Sequence, residues 1–164
     1  MCAVQQCHSA GLTHGNIKPE NILVNSYNWV FLSDIAINKP ILCKDTDLER
    51  YNKYFGELSN NNRCYLAPER WRSMGESLGD NLLHPSMDIF SMGCVIAEIL
   101  MDGMDGHDSF FNLQRLQMYR RGNGEFDPKD ELLKGGVSQQ IADLIMKMVQ
   151  YNKDDDPRLS RPTA

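Results

Sequence analysis

From Met87 to Met101 the chain is apolar at every position except Asp88, Ser91, Gly93 and Glu98. A helix that is hydrophobic nearly all round must be covered on every side, so this segment is expected to be a buried central helix. Ser86 is placed to cap its start and Gly103 its end. A chain of 164 residues is long enough for one domain with a real core around such a helix. The other segments supply the cover. Residues 2–12 read as a helix closed by Gly11. Leu113, Leu116 and Tyr119 share one helical face. Ser138 is placed to cap a last helix whose stripe is Ile141, Leu144, Ile145 and Met148. Ile22-Leu23-Val24 and Val30 to Ser33 flank the turn residues Asn25-Ser26-Tyr27-Asn28 and predict a hairpin. Residues 37–66 and 73–86 read as long polar loops, the first of them structureless, and such loops are usually functional.

Composition excludes several classes. The net charge of −5 argues against a nucleic-acid partner, which asks for a clustered basic face. The basic pairs Arg70/Arg72 and Arg120-Arg121 read as solvated helix ends, and Asp154-Asp155-Asp156 as a solvated loop. Five scattered cysteines without a C-x-x-C pair give neither a disulfide framework nor a metal knuckle. No apolar run reaches the roughly 18 residues of a membrane span. Met1-Cys2 is not a myristoylation signal, so membrane contact is expected to be indirect. Trp29 and Trp71 are expected to serve packing.

Five short blocks carry the chemistry. They are His14-Gly15-Asn16-Ile17-Lys18-Pro19-Glu20-Asn21, Asp34-Ile35-Ala36, Ala67-Pro68-Glu69, Met87-Asp88-Ile89-Phe90-Ser91-Met92-Gly93, and Asp156-Pro157-Arg158-Leu159-Ser160-Arg161-Pro162-Thr163-Ala164. In composition and order they resemble the H-R-D-x-K-x-x-N loop, the D-F-G and A-P-E motifs, the D-x-W-S-x-G helix start and the D-P-x-x-R ending of a eukaryotic protein kinase. The blocks around Trp29 and from Arg63 to Trp71, and the Leu113–Gly122 segment, are similar to the kinase-like regulatory subunit of the class III phosphatidylinositol 3-kinase complex of vacuolar sorting and autophagy.

The resemblance implies a protein-kinase-like fold, α+β by family and mainly α here. It implies a C-terminal lobe with a small β-hairpin, occupying residues 1–164 and cut at both ends. It implies that Lys18 faces a nucleotide γ-phosphate and that Asn21 and Asp34 hold Mg²⁺, with ATP and Mg²⁺ bound only when the N-lobe is present. Hard cations want oxygen ligands, which both residues carry. His14 and Asp88 are expected to be structural, Asp88 holding the loop backbone. Glu69 and Arg161 are expected to pair, and breaking such a buried pair costs about 3–5 kcal/mol.

Departures from the pattern set the expectations about activity. Asn16 stands at the catalytic, proton-accepting Asp position. Its amide can hydrogen-bond a hydroxyl but cannot take the proton, and loss of a general base typically costs about 10²–10⁴ in rate. Gly15 removes the Arg that would meet a phosphorylated activation segment, although Ser59 and Tyr65 are acceptors by type. Ile35 replaces Phe in an apolar slot, and Ala36 replaces a Gly hinge. Three readings stay open. The first is a regulatory scaffold partnering the class III phosphatidylinositol 3-kinase catalytic subunit, cytoplasmic and peripheral on endosomal or vacuolar membranes. The second is an active serine/threonine kinase using ATP and Mg²⁺. The third is a fragment that exposes apolar surface and aggregates.

Overall fold

The computed structural model describes residues 2–44, 46–56, 63–72, 83–101, 110–122 and 124–151. In chain order the elements are helix α1 (Cys2–Ser9), strands β1 (Ile22–Val24) and β2 (Val30–Leu32), strand β3 (Cys43–Lys44), helix α2 (Leu48–Tyr54), strand β4 (Trp71–Arg72), and helices α3 (Pro85–Met101), α4 (Leu113–Arg121), α5 (Pro128–Lys134) and α6 (Gln139–Met148). Single turns of 3₁₀ helix at Pro19–Asn21 and Pro68–Arg70 precede β1 and β4. The result is a mainly helical domain with a small antiparallel hairpin, as the sequence predicts.

Helix α3 is the centre. Its buried residues include Met87, Phe90, Met92, Cys94, Val95, Ala97 and Met101, spread around its circumference. It begins at Pro85, which suits a first helical position, so Ser86 lies inside the first turn and is not its cap. Gly103 lies outside the described residues. Phe90 packs on Phe111, which in turn meets Phe110, Tyr119 and Phe126, tying α4 and the start of α5 to the central helix. Asn112, at the N-cap of α4, accepts a hydrogen bond from the Arg115 backbone amide at 2.8 Å. Gly122 closes that helix in the left-handed region at φ +66°.

Helix α6 lies against α3 through Ala142, Ile145 and Val149. Ile141 and Leu144 face outward instead, so the buried stripe is turned from the one the sequence suggested. The two helices meet closely at Gly93, where a Cβ would lie 2.8 Å from Val149 Cγ1 and 3.0 Å from Met148 Cβ. Ser138 occupies the α6 N-cap without a side-chain capping bond.

The hairpin pairs Ile22 with Leu32, Leu23 with Phe31 and Val24 with Val30. Asn25 organises its turn, its Oδ1 accepting from the amides of Tyr27 and Trp29 at 3.0 Å each. Trp29 is 67% exposed, so it is not a packing residue, and Leu23, Val24, Val30 and Phe31 are also exposed beside it.

The described residues between 37 and 66 are more structured than their polarity suggests. They contain β3, which pairs in parallel with β4 (Cys43 with Trp71, Lys44 with Arg72), and α2, capped by Asp47 through the Arg50 amide at 3.0 Å. Helix α2 is fastened by Tyr51, whose ring lies 5.0 Å from that of buried Trp71 and whose hydroxyl donates to the Arg63 carbonyl at 2.8 Å.

The close approach at Gly93 yields a test. Gly93→Ala adds a helix-favouring side chain worth up to about 1 kcal/mol, but overpacking costs typically about 1–3 kcal/mol. We expect a net fall in stability by urea denaturation, partly restored when Val149→Ala is added to make room.

Candidate functional site: the catalytic-loop position and its clamps

Residues His14 to Asn21 lead into the first strand of the hairpin. Gly15 has φ +70°, and a Cβ there would fall 2.7 Å from Leu83 Cδ1 and 3.1 Å from Ala36 Cβ. Both the conformation and the space favour glycine. Its peptide groups are gripped from two sides. Asp88, fully buried, accepts from the His14 and Gly15 amides at 2.7 Å each, and His8 Nε2 lies 2.9 Å from its Oδ2. Arg70 donates to the Gly15 carbonyl from the other side.

Arg70 is the largest departure from the sequence reading. It is 1% exposed, not a solvated helix end. Its guanidinium also donates to the Pro40 carbonyl at 3.0 Å and the Ile41 carbonyl at 2.9 Å, and it lies 4.8 Å from the Phe55 ring centroid. Desolvation by burial pulls its pKa below the ordinary arginine value. Three carbonyls and an aromatic face are what a buried planar cation requires. No sequence signal marked Arg70 as buried beyond its place directly after Ala67-Pro68-Glu69.

The structure brings Asn16, Asn21 and Asp34 together. Asn16 Nδ2 donates to Asp34 Oδ2 at 2.8 Å and to the Asp34 carbonyl at 3.2 Å. Asn21 Nδ2 donates to the Asn16 carbonyl at 2.8 Å. Asp34 itself sits in the left-handed region at φ 61°. Lys39, which the sequence did not single out, reaches back to Asp34 Oδ2 at 2.6 Å. Lys18 turns away to the end of α2, where Nζ donates to the Phe55 carbonyl at 3.2 Å. Ile35 is exposed, so it fills no apolar slot, whereas Ala36 is buried and its amide donates to the His14 carbonyl at 2.8 Å.

As arranged, these residues do not fit a divalent cation. One carboxylate is present, its Oδ2 already holds an ammonium and an amide, and no group of three or more His, Cys, Asp or Glu side chains that could hold a metal occurs among the described residues.

The remaining predicted residues fall around the site. His14 is wholly buried; its Nδ1 accepts from the Asn16 amide at 3.3 Å, while Nε2 has no partner among the described residues. Glu69 is half-buried on the Pro68–Arg70 turn. Arg161, Ser59 and the Asp154–Asp156 run lie outside the described residues. Tyr65 is buried, its hydroxyl donating to Glu98, which also pairs with Arg63 at 2.9 Å, so it is not an accessible phosphate acceptor.

With this geometry in hand, the comparison with known proteins is direct: the protein kinase domain model matches residues 1–164. The chain belongs to the protein kinase domain family. That family uses ATP and Mg²⁺ in general. Similar relatives are the probable serine/threonine-protein kinase vps15 of Dictyostelium discoideum, 39% identical over 95% of this chain and 8% of the relative, and the serine/threonine-protein kinase VPS15 of Arabidopsis thaliana, 39% identical over 98% and 10%. The VPS15 kinase of Saccharomyces cerevisiae is 37% identical over 96% and 11%. The chain thus spans about a tenth of the length of these curated relatives.

Two tests follow from the clamps. Arg70→Met leaves three carbonyls without their donor and should cost at least about 2 kcal/mol by urea denaturation. Arg70→Lys should not restore it, because one ammonium cannot span three acceptors as the planar fork does. The second concerns His14, whose pKa is lowered by burial against the opposing pull of Asp88. The neutral ring is the folded form, while the unfolded ring takes up a proton near about pH 6.5. Its contribution is therefore complete above about pH 6.5 and is lost as pH falls toward the folded value, at up to about 1.4 kcal/mol per pH unit. His14→Gln should flatten the dependence of the unfolding temperature on pH between about 7 and about 5.

Proposed function

We propose that this domain is the kinase-like regulatory element of a class III phosphatidylinositol 3-kinase complex, impaired in phosphotransfer of its own and contacting that complex's catalytic subunit. The observation that carries the impairment is Asn16. Where the family's proton acceptor would stand, an amide donates to Asp34. The remaining amide oxygen can orient a hydroxyl but offers no base, and the loss is roughly 3–5 kcal/mol of transition-state stabilisation. Similarity to three VPS15 kinases across nearly the whole chain supports the assignment to that complex. In this reading the domain acts by contact, on endosomal or vacuolar membranes that it reaches through partners. Among the described residues no helix is long and apolar enough to cross a membrane.

The backbone arrangement supports a scaffold role. Gly15 is held through Asp88 and Arg70, and the segment at Pro40 and Ile41 is held by the same guanidinium.

A second reading, an active serine/threonine kinase, is favoured by the retention of Lys18, Asn21 and Asp34 and by the relatives' designation as serine/threonine kinases. The two separate cleanly. Protein tagged in its own cells and purified gently should carry phosphatidylinositol 3-phosphate synthesis; an intact eluate without it removes the regulatory reading. Protein phosphotransfer by the same eluate should be weak. If it is robust, is abolished by Asp34→Ala and rises by about 10²–10⁴ with Asn16→Asp, the second reading stands.

A further inference from the structure

The geometry points to Lys39 as a built-in cation that takes the place of a metal ion at Asp34. This inference rests on reading the Asn16–Asp34 pocket as the phosphate end of a kinase-type cleft. Lys39 Nζ lies 2.6 Å from Asp34 Oδ2, and its side chain is only 17% exposed although that of Asp34 is 50% exposed. The ammonium is held by more than the pairing. It lies 5.7 Å from the Phe55 ring centroid. The Lys39 amide donates to the Ala36 carbonyl, closing the turn that carries the side chain back toward Asp34. The next two carbonyls, Pro40 and Ile41, are fixed by buried Arg70. Lys39 is thus anchored on both sides of its Cα, which lowers the entropy lost in holding a long side chain against a half-exposed carboxylate.

The charges agree. With Asn16 neutral, Asp34 and Lys39 sum to zero, and a divalent cation arriving at Asp34 must displace a cation already there. An Asp at position 16 would face the Asp34 carboxylate across the present 2.8 Å contact and would call for a further positive charge. Asn16 and Lys39 therefore form one arrangement: the site has exchanged a second carboxylate and a diffusible dication for an amide and a tethered monocation. Negative phosphate groups entering here would meet Lys39, with Lys18 held on the Phe55 carbonyl, and would not require a metal ion to cancel the charge of Asp34.

The test uses Mn²⁺ alone as the probe, followed by its solution EPR signal, on the protein purified from its own cells. Asp34→Asn sets the background from every other metal-binding group. Wild type should match that background. Lys39→Met should bind one ion above that background, and Lys39→Met with Asn16→Asp should bind it about tenfold tighter than Lys39→Met alone. Lys39→Gln serves as a second, polar variant, and each variant's unfolding temperature checks that it is folded. Wild type holding an Asp34-dependent ion as tightly as the Lys39 variants overturns the inference. So does failure of both folded Lys39 variants to exceed the Asp34→Asn background. Phosphatidylinositol 3-phosphate synthesis measured on the same preparations reports the regulatory role separately, since neither result for Mn²⁺ depends on it.

Discussion

The peptide unit at Gly15 is the point on which the site depends. Its N–H donates to a buried anion, Asp88, and its carbonyl accepts from a buried cation, Arg70. Each charge is costly to bury alone, and each is met by backbone dipoles and not by a single counter-ion. Asp88 comes from the first turn of the central helix, Arg70 from the short turn before β4, and Gly15 from the loop between α1 and β1. Three distant segments are joined at one residue that has no side chain. The left-handed conformation and the contacts with Leu83 and Ala36 favour glycine there, since a Cβ would be strained and would push Leu83 aside.

From this point order spreads outward. Arg70 carries it to Pro40 and Ile41, and β3 pairs with β4 just beyond. Tyr51 and Trp71 then seat α2 on that pair, and Phe55 at the helix end meets Arg70 and Lys39 through its ring and Lys18 through its carbonyl. The segment after Asp34 is therefore shaped by cations on an aromatic ring and on carbonyls.

Much of this fold could be read from the chain. An apolar run without a polar face leaves α3 no place except the centre, and short apolar runs on either side of the turn residues Asn25 to Asn28 leave little choice but a hairpin. Asn16, Asn21 and Asp34 were legible because their spacing in the motif blocks is local. Helix α2 was not, since seven residues with one buried anchor, Tyr51, give no periodic signal. Arg70 and Lys39 were missed for a related reason. Their roles depend on partners 55 and 5 residues away, and a basic residue in a polar stretch carries no mark of burial. The outward turn of Ile141 and Leu144 shows the limit of a stripe on a short helix, where Gly93 on the neighbouring helix sets the rotation.

Ala36 has a pharmacological consequence. Its methyl is packed against the Gly15 backbone position and its amide is tied to the His14 carbonyl, while Ile35 beside it points to solvent. Small molecules that bind kinases by waiting for the segment after the Asp to swing out, and then filling the slot its aromatic residue leaves, would find neither a hinge to turn nor a slot to fill. A lobe with glycine at this position keeps the hinge, and a compound of this kind would discriminate between the two.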